Sequence, residues 1–236
     1  MFELQIASLR SQIVAALVLL SSVAVAQESP TPTASPTPSA TPSPSHTRSV
    51  RISFLPPPLE GTISLGIFDA SGKLVRVLVQ EGDVDEFEVG ADALVIKWDG
   101  KNDKDEDLPA GKYHARGYLV GHMKIEDLGA AENPPADLNG ADHVAVKLVP
   151  NSLSKAAPLT VDLAVGVEDE TIFLKTTDGL PLLTVIEAPQ VARVGVTKNG
   201  EKAVDVWADG GSATEQLRVS NIDKMMAFDC GEIELK

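Results

Sequence analysis

One cysteine, two tryptophans and two tyrosines are spread over 236 residues, so the chain is poor in the side chains that staple or fill a small fold. A single cysteine, Cys230, excludes an intramolecular disulfide. It closes the apolar run Met225-Met-Ala-Phe-Asp-Cys230, which predicts a buried, unreactive thiol. Basic residues are also scarce: 20 Lys and Arg stand against 34 Asp and Glu, a formal charge of −14. With no basic stripe, the chain lacks the clustered cations that release counterions from a phosphate backbone, which excludes nucleic acid as a partner class. From residue 143 onward no segment has a helical period of normal length. There is also no nucleophile elbow, phosphate-cradling Gly loop or paired-Cys motif.

What is present is Val, Ile, Leu and Thr in short runs, punctuated by 18 Gly and 16 Pro. That pattern predicts an all-β protein. The one long apolar run, residues 13–26, follows Arg10 and ends Ala24-Val-Ala26, with small residues at the positions read by signal peptidase. It falls short of the ~20 residues that span a bilayer. The expectation is a signal peptide over 1–26, cleaved after Ala26, giving a secreted or periplasmic protein that meets the membrane only transiently. Residues 27–47 are dominated by Pro, Thr and Ser and have no apolar face to bury, so they read as a disordered linker. In an extended polyproline form at about 3.1 Å per residue, the ~18 residues from Glu28 to Ser45 reach ~50 Å.

From residue 48 the pattern changes to alternation: Val50, Ile52 and Phe54, then Ile63, Leu65 and Ile67, then Leu74 or Val75, Val77 and Val79. Period two predicts strands with one buried face. Asp69-Ala-Ser-Gly72 supplies a hairpin turn, and Leu94, Ile96 and Trp98 a strand whose last residue caps the core. Asp99-Gly100 starts a return through the polar excursion 101–107, and Pro109-Ala-Gly111 feeds the next strand. Three motifs in this order, Ile67-Phe-Asp-Ala-Ser-Gly-Lys-Leu-Val-Arg-Val-Leu78, Trp98-Asp-Gly-Lys-Asn-Asp103 and Leu108-Pro-Ala-Gly-Lys-Tyr113, resemble the Ig-like domain of the flagellar hook-capping protein. The resemblance covers about a quarter of the chain and implies an Ig-like β-sandwich over 48–121, used as a spacer or assembly module without a catalytic site. The chain departs from that pattern at Glu106 and Asp107, where a Gly is usual, and nothing else in it resembles a hook-capping protein.

Residues 122–142, rich in Gly, Pro, Asn and Asp, predict a linker, and 143–236 a second β-rich domain. In that domain Val165-Gly-Val167 followed by Thr171 to Gly179 recurs as Val194-Gly-Val196 followed by Lys202 to Gly210. Each copy reads as strand, turn, strand and Asp-Gly turn, similar to β-propeller blades. Two blades cannot close a propeller, so the region is expected to be sandwich-like, with incomplete blades as the alternative.

Candidate site residues are few. Asp99, Asp103, Asp105 and Asp107 recur at steps of two or four residues and offer hard oxygen ligands for calcium, although no Gly stands sixth from Asp103 as a helix-loop-helix site requires. A solvated hairpin tip is the plainer reading. The histidines, His46, His114, His122 and His143, are scattered without metal-ligand spacing. No catalytic, cofactor-binding or firm metal residue emerges. The expectation is a non-enzymatic exported protein that needs no cofactor and whose partner is a protein or a cell-surface polymer. The alternative is a carbohydrate or surface-polymer binding protein, or a truncated relative of a larger secreted propeller enzyme.

Overall fold

A computed structural model describes residues 48–136, 138, 143–153, 159–187 and 190–236; the expected signal peptide and Pro/Thr/Ser linker lie outside the described residues. The first strands are β1 (Val50–Phe54), β2 (Gly61–Phe68), β3 (Leu74–Gly82), β4 (Glu88–Val89), β5 (Leu94–Trp98), β6 (Gly111–Gly121) and β7 (Lys124–Ala130). They are followed by β8 (His143–Lys147), β9 (Thr160–Glu168), β10 (Thr171–Thr176), β11 (Pro181–Glu187), β12 (Arg193–Asn199), β13 (Ala203–Asp209), β14 (Thr214–Ser220) and β15 (Met225–Leu235). A single 3-10 turn at Val84–Glu86 is the one helical element described. The described residues are all-β, as the composition predicts, and their strands pair antiparallel into four sheets.

Two of these sheets, β1-β5-β4 and β15-β6-β2-β3, pack face to face. Ile63, Leu65 and Ile67 of β2 point between them, meeting Phe54, Leu94, Ile52 and Trp98. Each such fully buried side chain contributes about 1.5–3 kcal/mol. Pro56-Pro-Pro58 carries the chain from one sheet to the other, a place where missing amide donors cost nothing. Asp69 fixes the β2–β3 turn by accepting from the amides of Ser71 and Lys73. Gly72 there has a φ of +84°.

The opposite face of β2 is covered as well. Ser64, Gly66 and Phe68 are buried, because the central sheet forms the middle layer of three. A Cβ on Gly66 would lie 2.6 Å from Leu74 Cδ1 and 3.1 Å from Leu180 Cδ1, so glycine is what lets the next layer approach. The alternation in the sequence marks the first buried face and is silent on the second, which is built from residues too small or too mixed to show a period.

Two boundaries differ from the sequence reading. The linker predicted over 122–142 opens with a strand: β7 pairs with β14 through Ile125↔Val219 and Glu126↔Arg218. The second domain expected over 143–236 does not keep its last strand: β15, bulged between Asp229 and Gly231, pairs with β6 of the first sandwich from Leu235↔Gly111 to Met225↔Val120. Residues 122–224 therefore sit as an insertion between two neighbouring strands of the first sandwich. The insertion closes on itself where the Gly121 amide donates to the Lys224 carbonyl at 2.7 Å. At the other pole, a Cβ on Gly100 would be 2.8 Å from Leu235 Cδ1 and 3.5 Å from Arg48 Cβ, so Arg48 and Leu235 lie together.

The inserted residues build the other two sheets, β11-β10-β9-β8 and β12-β13-β14-β7. The internal repeat corresponds to two three-stranded meanders, β9-β10-β11 and β12-β13-β14. In both, the Gly of Val-Gly-Val stands opposite an aromatic ring, Gly166↔Phe173 and Gly195↔Trp207. A Cβ on Gly166 would be 2.7 Å from the Phe173 ring, so the ring occupies the space a side chain would take. The two sheets share one core, in which Leu163, Ile172 and Leu174 meet Val196, Val204 and Val206. That is sandwich-like packing, with the apolar faces turned onto each other.

Candidate functional site

The edge strand β3 and the edge strand β11 meet at a seam between the first sandwich and the inserted sheets. Unpaired amides on such edges must be satisfied or they recruit foreign strands. Here carboxylates satisfy them. Glu81 Oε1 accepts from both the amide and the hydroxyl of Thr184 at 2.7 Å, an arrangement held with Glu81 at a φ of +50°. Asp103 Oδ1 accepts from the Val77 amide at 2.9 Å, while its own amide donates to the Val75 carbonyl. The excursion 101–107 is thus folded along β3, and Arg76 holds it further by donating to the Asn102 carbonyl.

Above this seam runs an open groove of about 910 Å3. Leu74 and Val77 line one wall and Phe173 and Pro181 the other, with Asp103, Glu168, Asp169 and Glu187 around it and Lys175 as the one cation among its lining residues. Glu168 and Glu187 flank Thr171 on its two neighbouring strands, so their carboxylates share one end. The adjoining β9–β10 turn is made by Asp169 and Glu170 at φ +45° and +65°, a conformation for which Gly or Asn is the usual choice.

A second polar constellation lies on the outer face of β12-β13-β14. Asp205 accepts from Arg218 Nε at 2.8 Å, Asn199 Nδ2 at 2.8 Å and Gln216 Nε2 at 3.0 Å. Burial works to raise the Asp205 carboxyl, but the hydrogen bonds from Arg218, Asn199 and Gln216 and the Arg218 charge outweigh it and leave it below the ordinary carboxylate value. A depressed folded-state value adds stability that is present above the unfolded value near 4 and is lost as pH falls through the folded one. Asp205→Asn is therefore expected to cost about 1–3 kcal/mol at pH 7. Its deficit against the parent should shrink in urea titrations as pH is lowered from 6 to 3, and a deficit independent of pH would contradict this account.

A third group is the row Lys112, His114 and Arg116 along β6, each with an acid. Lys112 pairs with Glu232 at 2.9 Å, His114 Nε2 with Asp229 at 2.8 Å, and Arg116 with Asp178 while its guanidinium lies 3.9 Å over the Phe68 ring. Arg116 and Asp178 tie the first sandwich to the β10–β11 turn. Nearby, burial pushes the Tyr118 hydroxyl up to about 12, with Asp178 adding to the effect.

The four aspartates weighed for calcium are not brought together: Asp99 accepts from the Lys101 amide, Asp103 from Val77, Asp105 lies 3.8 Å from Arg76, and Asp107 bridges back to Lys101. Among the described residues no group of three or more His, Cys, Asp or Glu is placed to hold a metal ion. His122 and His143 are exposed and His114 is half-buried on its strand, while His46 lies outside the described residues. Trp98 and Trp207 are buried at strand positions. Cys230 sits at the β15 bulge, where burial, helped by Asp229, pushes its thiol up to about 12. Native protein is accordingly expected to resist iodoacetamide at pH 8 and to react fully in urea; rapid labelling of the folded chain would refute the assignment.

Among the described residues no helix is long and apolar enough to cross a membrane. No protein family, curated protein or solved structure matches the chain. The groove was not legible in the sequence, because its walls come from strands about a hundred residues apart; the one hint was the run Glu168-Asp-Glu170 at a hairpin turn.

Proposed function

We propose that the chain is an exported, non-enzymatic bacterial protein with a structural, adhesive or assembly role, in which an Ig-like module completed by β15 carries the inserted sheets as an interaction domain. The observation that carries this reading is the interleaving of the two β regions. β15 returns from the insertion to pair with β6, so the carrier and the carried part share strands and cores. A hinged pair of domains would present a partner site loosely; a shared central sheet presents it at fixed geometry. The packing of β1-β5-β4 on β15-β6-β2-β3 around Trp98 supports the resemblance to the hook-capping Ig-like domain. Glu81, Asp103 and Asp205, three carboxylates able to do acid–base chemistry, are engaged in holding edges and strands.

Surface-polymer binding through sugar stacking needs exposed rings, and every aromatic side chain among the described residues is buried. Expression of the full chain in a bacterial host, with fractionation and amino-terminal sequencing, tests the export half of the reading. The expected product starts at Gln27 outside the cytoplasm. A cytoplasmic product that keeps residues 1–26 would overturn it.

A further inference from the structure

The four sheets have eight borders, and all but two of these are taken up within the fold. β1 lies against β15, β3 against β11 and β12 against β8, which closes three corners. Of the two borders left, β4 is two residues long and is crossed by the Lys97–Glu88 ion pair, a common way of blunting an edge. The other is β7. It has seven residues and no proline, and all of them except Glu126 are exposed. The border is open because β6 runs on past Gly121 into β7, whereas β2, its neighbour up to the Gly61↔Gly121 pair, is preceded by Leu59, which packs into the first core. β7 is hydrogen-bonded to β14 on one side only, so alternate amides and carbonyls of residues 124–127 face outward without a strand partner among the described residues. Ile125 stands beside Val219 on the core face and keeps 37% of its surface exposed at this border.

The residues of this border fit a second copy of themselves. In an antiparallel pair related by a two-fold axis, residues opposite each other share a face, so the pair is centred on one residue and its symmetry mate. Centred on Lys124, Glu126 or Asp127, the pair sets like charges against each other, which is destabilising. Leu128 cannot be the centre, because Gly129 at φ +74° with its amide bound to Asp127 breaks the strand there. Centred on Ile125, the pair sets Ile125 against the partner's Ile125 and Lys124 against the partner's Glu126, twice over. Lys124 Nζ already lies 2.7 Å from Glu126 Oε1 within one chain, so the two copies together form a ring of four alternating charges. The net charge of −14 opposes association at long range, but at about 0.15 M salt it is screened beyond ~8 Å and the local pattern decides.

We propose that β7 is a self-association edge, at which two copies of the chain pair β7 to β7 antiparallel about Ile125 and join two β12-β13-β14-β7 sheets into one of eight strands. The contact is short, so a weak dimer with a Kd on the order of 0.1 mM is expected. Self-association at β7 does not depend on export.

The test is sedimentation equilibrium of the full chain from about 10 μM to about 1 mM at about 0.15 M salt. The mean mass is expected to rise with concentration toward that of two chains. Lys124→Glu turns both cross-strand pairs into acid–acid contacts and should weaken the dimer about tenfold or more. Lys124→Glu combined with Glu126→Lys restores opposite charges across the axis and should return the Kd to within about threefold of the parent. The matched control, Lys104→Glu on the exposed 101–107 excursion, makes the same change in net charge and should alter the Kd less than about twofold. Circular dichroism checks that each variant is folded; because Lys124 and Lys104 are both exposed, the comparison of those two single variants carries the test if the charge-swapped chain does not fold. A chain that stays monomeric to about 1 mM would overturn the proposal. Equal weakening by Lys124→Glu and Lys104→Glu, or a dimer that Lys124→Glu leaves unchanged, would overturn it as well, the first by showing an effect of net charge alone and the second by placing the contact elsewhere.

Discussion

A chain ending at Lys224 will not fold. β15 pairs with β6 along nearly the whole of both strands and places Met225 and Ala227 in the core of the inserted sheets, Phe228 in one core of the first sandwich, and Ile233 and Leu235 in another. Removing the buried side chains Met225, Met226, Phe228, Ile233 and Leu235 forfeits about 7–15 kcal/mol, comparable with the entire 5–15 kcal/mol of an ordinary domain. The β6 amides would be orphaned at the same time. The truncated chain is expected to show no cooperative urea transition and no strand signal in far-ultraviolet circular dichroism. Phe228→Ala, which leaves the strand in place, should cost about 3–5 kcal/mol, because its ring stacks on Phe54 at 4.7 Å between centroids. A truncated chain that unfolds cooperatively at the parental midpoint would show that the sandwich closes without β15.

Trp98→Ala is the second large loss. The indole is fully buried, meets Tyr113 edge-on at 5.2 Å, and its Nε1–H donates to the Lys101 carbonyl at 2.9 Å. Truncation removes the largest side chain of that core and leaves a carbonyl without its donor, for about 3–5 kcal/mol in total. Trp98→Phe keeps a ring in place and loses the hydrogen bond and some volume, so about 1–3 kcal/mol is expected. Only Trp98 and Trp207 are present, so either variant leaves Trp207 as the sole indole emitter, reporting on the inserted sheets. Because the central sheet is common to both cores, Trp207 emission and the overall circular dichroism should change together in urea. Two separated transitions would mean that the layers unfold independently.

Fold class and most strands were legible because period-two runs such as Ile63, Leu65 and Ile67 face one core and follow the pleat. The turn at Asp69 to Gly72 was legible because its chemistry is local: a carboxylate bonding the amides two and four residues on. The three-layer arrangement was not. Ser64, Gly66 and Phe68 make a second buried face out of residues that look polar, small and large in turn, so no alternation announces it. Nor did anything local mark β15 as belonging beside β6, since strand pairing across an insertion depends on matching surfaces more than a hundred residues apart. At the seam, Glu81 and Asp103 read as ordinary surface acids until Thr184 and Val77 are brought to them.

The shared pole of Arg48 and Leu235 has a mechanical meaning. A pull applied between those two residues enters at β1, held by β5, and at β15, held by β6, and would peel each from its own partner starting at that pole. The groove and the inserted sheets hang off that line of force, attached through strands that carry no direct tension until β15 has come away. Load between Arg48 and Leu235 would therefore leave the inserted sheets in shape until the first sandwich itself begins to unzip.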